Sequence, residues 1–174
     1  MAPRTRPALA LALAALGALL PAACGGGSGS PSGGDAAAQR ARFIADTDAL
    51  CRATNIRTKV LNDRLRRVSA PDDEQLLRRL APILEQGSGS LRDNAAALRT
   101  ARPPAADARA IDRIRTLYDQ QAELAGLLAA AAAHGRVTRF KALSEQQKDV
   151  VSRARALTRA YGFRECGSAM SDAP

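Results

Sequence analysis

The chain has 174 residues and carries 26 lysine and arginine residues against 17 aspartate and glutamate residues, which gives a formal charge of +9 at pH 7. Its length favours one domain, and its three cysteines are too few for a disulfide-dense small domain. Outside the N-terminus no stretch approaches the roughly 18 apolar residues of a transmembrane helix, which excludes a protein with many membrane spans.

The N-terminal residues 1–23 have the three parts of a secretory signal. Arg4 and Arg6 form a short basic region, an apolar run continues to Leu20, and small residues lead up to Cys24. This apolar run is shorter than the roughly 20 residues that a helix needs to cross a bilayer. We therefore predict a signal peptide over residues 1–23 and not a membrane-spanning anchor.

The sequence Leu20-Pro21-Ala22-Ala23-Cys24 resembles the lipobox of bacterial lipoproteins, with Pro21 where the family usually has leucine. In that family a diacylglyceryl group is placed on the cysteine thiol, and a peptidase then cuts just before the cysteine. The resemblance implies cleavage between Ala23 and Cys24 and lipidation of Cys24. It also implies an exported protein that is anchored in the cell membrane and faces the extracytoplasmic side. The other interpretation is an ordinary signal peptide cut nearby, with Cys24 left as a free thiol.

Residues 24–37 are rich in glycine and serine and show no apolar periodicity. Such a composition is typical of a flexible linker. We predict that this linker holds the folded part of the protein, residues 38–166, away from the membrane. Residues 167–174 are predicted to form a disordered tail.

The remaining cysteines, Cys51 and Cys166, form an even pair if Cys24 carries lipid. Neither lies in a Cys-x-x-Cys motif or in a cluster of cysteine and histidine, so a metal site is not expected. In the oxidising environment outside the cytoplasm, such a pair is expected to form a disulfide. We predict a structural Cys51–Cys166 disulfide that closes a long loop.

The first helix is predicted over residues 38–68, because its apolar and small residues recur at intervals of three and four. Pro71 and the acidic residues after it suit the first turn of a second helix. The repeating positions of the first helix are Phe43, Thr47, Leu50, Thr54, Leu61, Leu65 and Val68.

The second helix is predicted over residues 71–102, with a kink near Pro82, since proline lacks the N–H that a helix interior requires. The segment 87–90, Gly-Ser-Gly-Ser, is a second weak point. The apolar residues keep the same helical spacing across Pro82 and across residues 87–90, so we predict one kinked helix. Its repeating positions are Leu76, Leu80, Ile83, Gly87, Leu91, Ala95 and Leu98.

Two further helices are predicted, the third from about residue 105 to His134 and Gly135, and the fourth over residues 138–161 with Gly162 as its end signal. The third repeats Ile111, Ile114, Leu117, Tyr118, Leu124, Leu127 and Leu128, and the fourth repeats Phe140, Leu143, Val150, Val151, Ala154, Leu157 and Tyr161. Four such segments joined by short turns predict an all-α fold, an antiparallel up-down-up-down four-helix bundle. In that topology Cys51 and Cys166 lie near the same end.

The segments FIADTDALC (residues 43–51) and YGFRECG (residues 161–167) are similar to those of small helical lipoproteins of GC-rich bacteria. Those proteins carry one cysteine early in the folded part and one at its end. The similarity implies the same arrangement here and adds no information about a partner.

No catalytic, cofactor-binding or metal-binding set is predicted. His134 is the only histidine and belongs to no Glu-x-x-His motif, so we interpret it as a helix-end residue. The charged residues are better explained as i,i+4 pairs on solvated helix faces. These predicted pairs are Asp48 with Arg52, Asp63 with Arg67, Glu74 with Arg78 and Asp149 with Arg153.

A basic patch is expected at the end of the bundle that carries the first and third turns, away from the lipid. It consists of Arg64, Arg66, Arg67, Arg78, Arg79, Arg136, Arg139 and Lys141. Such a patch suits an anionic envelope polymer, a lipid headgroup or an acidic protein. The alternative is a surface that is rich in arginine everywhere. Nucleic acid is not an expected partner, because the chain is predicted to be exported and has few aromatic residues for base stacking.

Two functions fit these features. The first is a non-enzymatic, membrane-tethered helical module that binds a protein or an anionic component of the cell envelope. The second is a carrier or sensor of a small ligand, with a cavity between helices near Pro82 and residues 87–90. The sequence specifies neither the partner nor the oligomeric state.

Overall fold

Four α-helices contain most of the residues that the computed structural model describes, which are residues 33–166 and residue 168. Helix α1 is Gly33–Leu65, α2 is Asp73–Thr100, α3 is Ala108–Ala133 and α4 is Val137–Tyr161, with a short 3-10 turn at Ala105–Asp107 before α3. None of the described residues lies in a strand. The predicted all-α four-helix bundle is confirmed.

Several predictions concern residues outside the described part of the chain. The signal peptide over residues 1–23, the lipidation of Cys24 and the linker up to residue 32 are among them, as are residues 167 and 169–174 of the predicted tail. The described residues all belong to one compact unit. No described helix combines the length and the apolar character that crossing a membrane requires.

Helix α1 begins at Gly33 rather than at the predicted residue 38, so the last residues of the predicted linker are helical. Asp35 lies in the first turn, where a negative charge complements the helix dipole. The alanines at 36–38 are strong helix formers, which explains why the helix extends past the predicted start. The helix ends at Leu65, before the predicted Val68.

Helix α2 begins after Asp72, whose side chain caps it by accepting a hydrogen bond from the Gln75 N–H at 2.9 Å. The helix continues through Pro82. Proline has no N–H to bond to the Arg78 carbonyl, and this missing hydrogen bond is the reason why a kink is predicted there. Ser88 is 1% exposed and faces α3. Small residues here therefore let α2 and α3, the most extensively packed pair of helices, approach each other closely.

Two glycines in left-handed conformations end the last two helices. Gly135 follows α3 with φ +63° and packs so closely against Glu74 that a Cβ would meet its side chain at 2.5 Å. Gly162 follows α4 with φ +111°, and the Phe163 N–H returns to the Thr158 carbonyl at 3.0 Å. This is the hydrogen-bond pattern of a Schellman motif, and it turns the chain back across the bundle.

Contacts at the two ends of the bundle establish its antiparallel topology. Phe43, near the beginning of α1, packs edge-on against Tyr161 at the end of α4, with ring centroids 6.1 Å apart. At the opposite end, Lys141 Nζ lies 3.3 Å from Asp73 Oδ2 and joins the beginnings of α4 and α2. Neighbouring helices therefore run up, down, up and down, as predicted.

The core is centred on α3 and receives α1 only over residues 43–54, the middle of its length. Helix α1 contributes one buried line, and none of its residues after Thr54 is buried. The buried line of α1 is Phe43, Thr47, Cys51 and Thr54, and the core residues it approaches include Leu98, Ile111, Ile114, Leu117, Tyr118, Ala154 and Phe163. Beyond Thr54 the helix continues to Leu65 with side chains that are exposed or half-buried.

The structure joins Cys51 and Cys166 by a disulfide, with Cα atoms 5.1 Å apart and a sequence separation of 115 residues. Cys51 is buried, whereas its neighbour Leu50, predicted to lie in the apolar stripe, is 45% exposed. The disulfide connects α1 to the segment that follows α4. It therefore closes a loop that contains nearly the whole bundle.

Candidate functional site

Asp48 lies in a buried position on α1 and binds the segment that follows α4. Its Oδ1 atom accepts hydrogen bonds from the N–H groups of Glu165 at 2.9 Å and Cys166 at 3.2 Å, and its Oδ2 atom accepts one from Arg164 at 3.0 Å. Hydrogen bonds to an ionised acceptor are stronger than those between neutral groups. The N–H groups of three successive residues therefore hold one carboxylate in place. These hydrogen bonds replace those that the carboxylate loses to water when it is buried.

The predicted pairing of Asp48 with Arg52 is wrong. Arg52 instead contacts Glu165, with Nε 3.2 Å from Oε1. The reason is desolvation, since a buried carboxylate gains more from fixed backbone donors than from a mobile, exposed guanidinium. One signal in the sequence points to this arrangement: Asp48 precedes Cys51 by three residues, so both side chains lie on the same face of the helix.

The residues that join α1 to the segment after α4 form a continuous stripe, which we call the tail clasp. Asn55 extends it by one turn, donating to the Glu165 carbonyl at 3.0 Å and to Ser168 Oγ at 2.8 Å. The clasp consists of Asp48, Cys51 and Asn55 on α1 with Arg164, Glu165, Cys166 and Ser168. It fixes the position of α1 relative to the end of α4.

The rings of Phe43, Tyr161 and Phe163 pack together as an aromatic cluster, which adds a second connection between α1 and the end of α4. Arg40 lies over the Tyr161 ring at 4.5 Å from its centroid, and the Tyr161 hydroxyl donates to Asp107 Oδ2 at 2.8 Å. Burial, together with this hydrogen bond and the charge of Asp107, raises the pKa of Tyr161 to about 12. Burial, reinforced by the charge of Asp48, also raises the pKa of Tyr118 above its ordinary value. Both tyrosines are thus held in their neutral form.

A groove of about 550 Å³, which we call the first groove, lies between the beginning of α1 and the end of α2. Apolar side chains such as Phe43 and Leu50 alternate there with the charged Arg42 and Asp46. The remaining lining residues are Gln39, Thr47, Ala97, Thr100, Ala101, Arg102, Pro103 and Pro104. This surface lies at the end of the bundle where α1 begins.

The second groove, of about 400 Å³, follows the outer side of α1 beside the tail clasp. It is lined mainly by basic and amide side chains around one exposed apolar residue, Ile56. The other lining residues are Arg52, Asn55, Lys59, Asn62, Arg66, Glu165 and Ser168. Sequence reasoning did not identify either groove.

The residues of the predicted basic patch lie at the end of the bundle opposite the first groove. Gly135 packs against Glu74 and Arg78 there, which brings the first and third turns together. Acids neutralise several of the cations: Arg66 pairs with Asp63, Arg78 with Glu74 and Lys141 with Asp73. Arg64 and Arg79 bind the neutral oxygens of Gln86 and Ser69, while Arg67, Arg136 and Arg139 form no ion pair with any residue in the described ranges.

Of the other predicted ion pairs, Glu74 with Arg78 and Asp149 with Arg153 are present, whereas Asp63 pairs with Arg66 rather than with Arg67. Surface pairs of this kind contribute only about 0–1 kcal/mol each to stability. They describe a solvated surface and not a reaction centre.

The region near Pro82 is where the sequence predicts a ligand cavity as the alternative function. Ile83 and Ser88 are buried, and neither groove is lined by residues of this region. Within residues 33–166 and 168, no three histidine, cysteine, aspartate or glutamate side chains are placed to hold a metal ion. Comparisons with protein-family models, with curated proteins and with solved structures found no match for this chain.

We predict that Asp48→Asn lowers the free energy of unfolding by about 2–4 kcal/mol, because it removes the charge that three backbone N–H groups bind. Urea unfolding with the disulfide intact measures the change. Asp46→Asn is the matched control, since Asp46 lies two residues away on the same helix and is exposed. Equal effects of the two substitutions would show that Asp48 does not hold the tail.

We also predict a loss of stability at alkaline pH. The folded protein keeps Tyr161 protonated up to a pKa of about 12, against 10.0 for a free tyrosine, so the unfolded chain loses its proton first. Stability is therefore complete below about pH 10 and falls as the pH rises towards 12. In a Tyr118→Phe variant Tyr161 is the only tyrosine, and its ultraviolet absorbance reports ionisation directly. An ionisation midpoint close to that of the urea-unfolded variant would contradict the proposed burial.

Proposed function

We propose that the protein is an exported lipoprotein, anchored in the cell membrane through Cys24, whose helical bundle is a non-enzymatic module that binds a protein component of the cell envelope. The observation that carries the proposal is the Cys51–Cys166 disulfide. Structural disulfides persist mainly in oxidising compartments outside the cytoplasm. The disulfide uses two of the three cysteines, and the third, Cys24, is the one that the lipobox-like sequence marks for lipidation.

The start of the bundle supports a role close to the membrane surface. Cys24 precedes the beginning of α1 at Gly33 by nine residues. Nine residues span at most about 30 Å when fully extended. A lipid on Cys24 would thus keep the beginning of α1 within that distance of the membrane. The first groove starts at Gln39, about 9 Å further along the helix.

A binding role is supported by the first groove. Its apolar side chains, Phe43 and Leu50, are surrounded by charged and polar groups, an arrangement that is typical of protein interfaces with an apolar centre and a polar rim. The tail clasp and the aromatic cluster hold the α1 wall of the groove in place. Rigid walls lower the entropic cost of binding, because the surface does not have to be ordered by the partner.

Mass spectrometry of the protein isolated from membranes tests the anchor. We expect a mature N-terminus at Cys24 that carries acyl mass, and a peptide in which Cys51 and Cys166 are joined under non-reducing conditions. The Cys24→Ala variant should lack the acyl mass and should leave the membrane fraction. Unmodified Cys24 in membrane-bound protein would contradict the proposal of lipid anchoring.

Affinity capture from intact envelopes tests the binding role. We expect a protein that is enriched by the wild type to be lost with Leu50→Arg, because a charge at the centre of the first groove would remain desolvated and unpaired in the complex. Leu127→Arg is the matched control, since Leu127 has nearly the same exposure but lies on α3. If both variants retain or both lose every enriched protein, the first groove is not the binding surface.

A further inference from the structure

The second half of α1 and the turn after it carry a dense positive charge. Residues 52–67 contain one acidic residue, Asp63. Their basic residues are Arg52, Arg57, Lys59, Arg64, Arg66 and Arg67. This is also the part of α1 that contributes no side chain to the core beyond Thr54. Positive charge therefore concentrates on a stretch of helix that has no buried side chain after Thr54.

The exposed side of this stretch is organised as an apolar line between two rows of cations. Ala53, Ile56 and Val60 follow each other at intervals of three and four residues and thus share one line on the helix. Ile56 is 63% exposed and Val60 is 55% exposed. At 100° per residue, Arg52 and Lys59 lie on one side of the line and Arg57 and Arg64 on the other. We call these residues the basic apolar face.

Most of the charge on the basic apolar face is not neutralised. Arg57 donates to Thr54 Oγ1 at 3.3 Å, and Arg64 donates to Gln86 Oε1 at 2.6 Å, so both bind neutral oxygens. Lys59 forms no ion pair within the described part of the chain, whereas Arg52 is paired with Glu165. Arg57, Lys59 and Arg64 therefore present free positive charge on both sides of Ile56 and Val60.

This pattern suits one kind of partner better than others. A soluble anionic polymer would bind the cations but would leave the two exposed apolar side chains in water. A membrane surface with anionic lipids satisfies both groups, because apolar side chains enter the boundary between headgroups and acyl chains while arginine and lysine extend to the phosphates. We propose that the basic apolar face of α1 lies on the anionic surface of the membrane.

This inference deepens the proposed function and rests on it in one respect, since the lipid on Cys24 would bring α1 to the membrane. Helix α1 has 33 residues and is about 50 Å long. If the helix stood upright on its tether, the basic apolar face would be tens of ångströms from the lipids. Contact through this face requires α1 to lie along the membrane.

The test uses residues 24–174 with Cys24→Ser, a form that contains the whole compact unit but cannot be lipidated. Its binding is measured to vesicles of phosphatidylcholine alone and to vesicles that also contain phosphatidylglycerol. We expect binding to the anionic vesicles only. The triple variant Arg57→Gln, Lys59→Gln, Arg64→Gln should bind about fivefold more weakly for each cation removed, on the order of 100-fold in all.

A matched triple variant separates this surface from the net charge of the protein. Arg109→Gln, Arg113→Gln, Arg159→Gln removes three exposed cations from α3 and α4, with the same change in total charge. We expect it to reduce binding by less than about threefold, because charges away from the contact are screened. Equal losses for the two triple variants would overturn the proposal.

The apolar line is tested by Ile56→Ser with Val60→Ser, which leaves every charge in place. Both residues are exposed, so the fold should be retained, and circular dichroism checks this. We expect binding to anionic vesicles to fall about tenfold or more, while the control Leu127→Ser changes it by less than about twofold. Unchanged binding of the double variant, or equally tight binding of the parent to soluble polyphosphate, would identify a site for anionic polymers and overturn the membrane assignment.

These results can be told apart from a failure of the proposed anchor. Lipidation of Cys24 is read by mass spectrometry of the full chain, and vesicle binding is read on a form without lipid. Absence of acyl mass together with vesicle binding would remove the anchor and keep the basic apolar face. Acylation of Cys24 without vesicle binding would keep the anchor and overturn the proposal for the basic apolar face.

Discussion

The position of α1 depends on one connection, the tail clasp. Helix α1 packs on α2 far less extensively than α3 does, and its buried line ends at Thr54. What holds it firmly is the segment after α4, through a disulfide and through the three backbone N–H groups that surround the Asp48 carboxylate. The covalent bond limits separation of the two segments, while the carboxylate fixes their orientation. The two parts of the clasp are thus not interchangeable.

This arrangement divides α1 into two parts with different physical roles. The part up to Asn55 contributes Phe43, Thr47 and Cys51 to the interior and forms a wall of the first groove. The part after Asn55 has no buried side chain, so its side chains can follow the requirements of a surface. The solvent-facing side of a helix that only packs on its bundle is normally polar. Here Ile56 and Val60 are instead exposed between arginines and a lysine. The tail clasp and the core contacts of residues 43–54 hold α1 at its middle, so the residues after Asn55 can form such a surface without packing on the core.

Much of the fold could be predicted from the sequence because apolar periodicity and glycine end signals are local. Gly135 and Gly162 mark the ends of α3 and α4, and the disulfide follows from cysteine parity and topology. The environment of Asp48 is not local, since its donors lie more than 110 residues away along the chain. In the sequence, Asp48 with Arg52 at i+4 has the pattern of a surface ion pair. Only the folded position of the segment after α4 shows that Asp48 is buried and binds backbone N–H groups. The grooves likewise depend on the relative positions of helices, which no single segment encodes.

The lipid anchor and the basic apolar face would contribute different things to membrane attachment. A diacylglyceryl group already supplies two acyl chains, which is enough for stable anchoring. The basic apolar face is therefore not needed for affinity, and its effect would be on orientation. If residues 24–32 form the predicted flexible linker, the effective concentration of the attached surface would be in the millimolar range, so a contact of α1 with lipid would be occupied most of the time when its Kd is below about 1 mM. On this view the tether supplies the proximity, α1 sets the angle at which the bundle meets the membrane, and the first groove is presented at a fixed height above it.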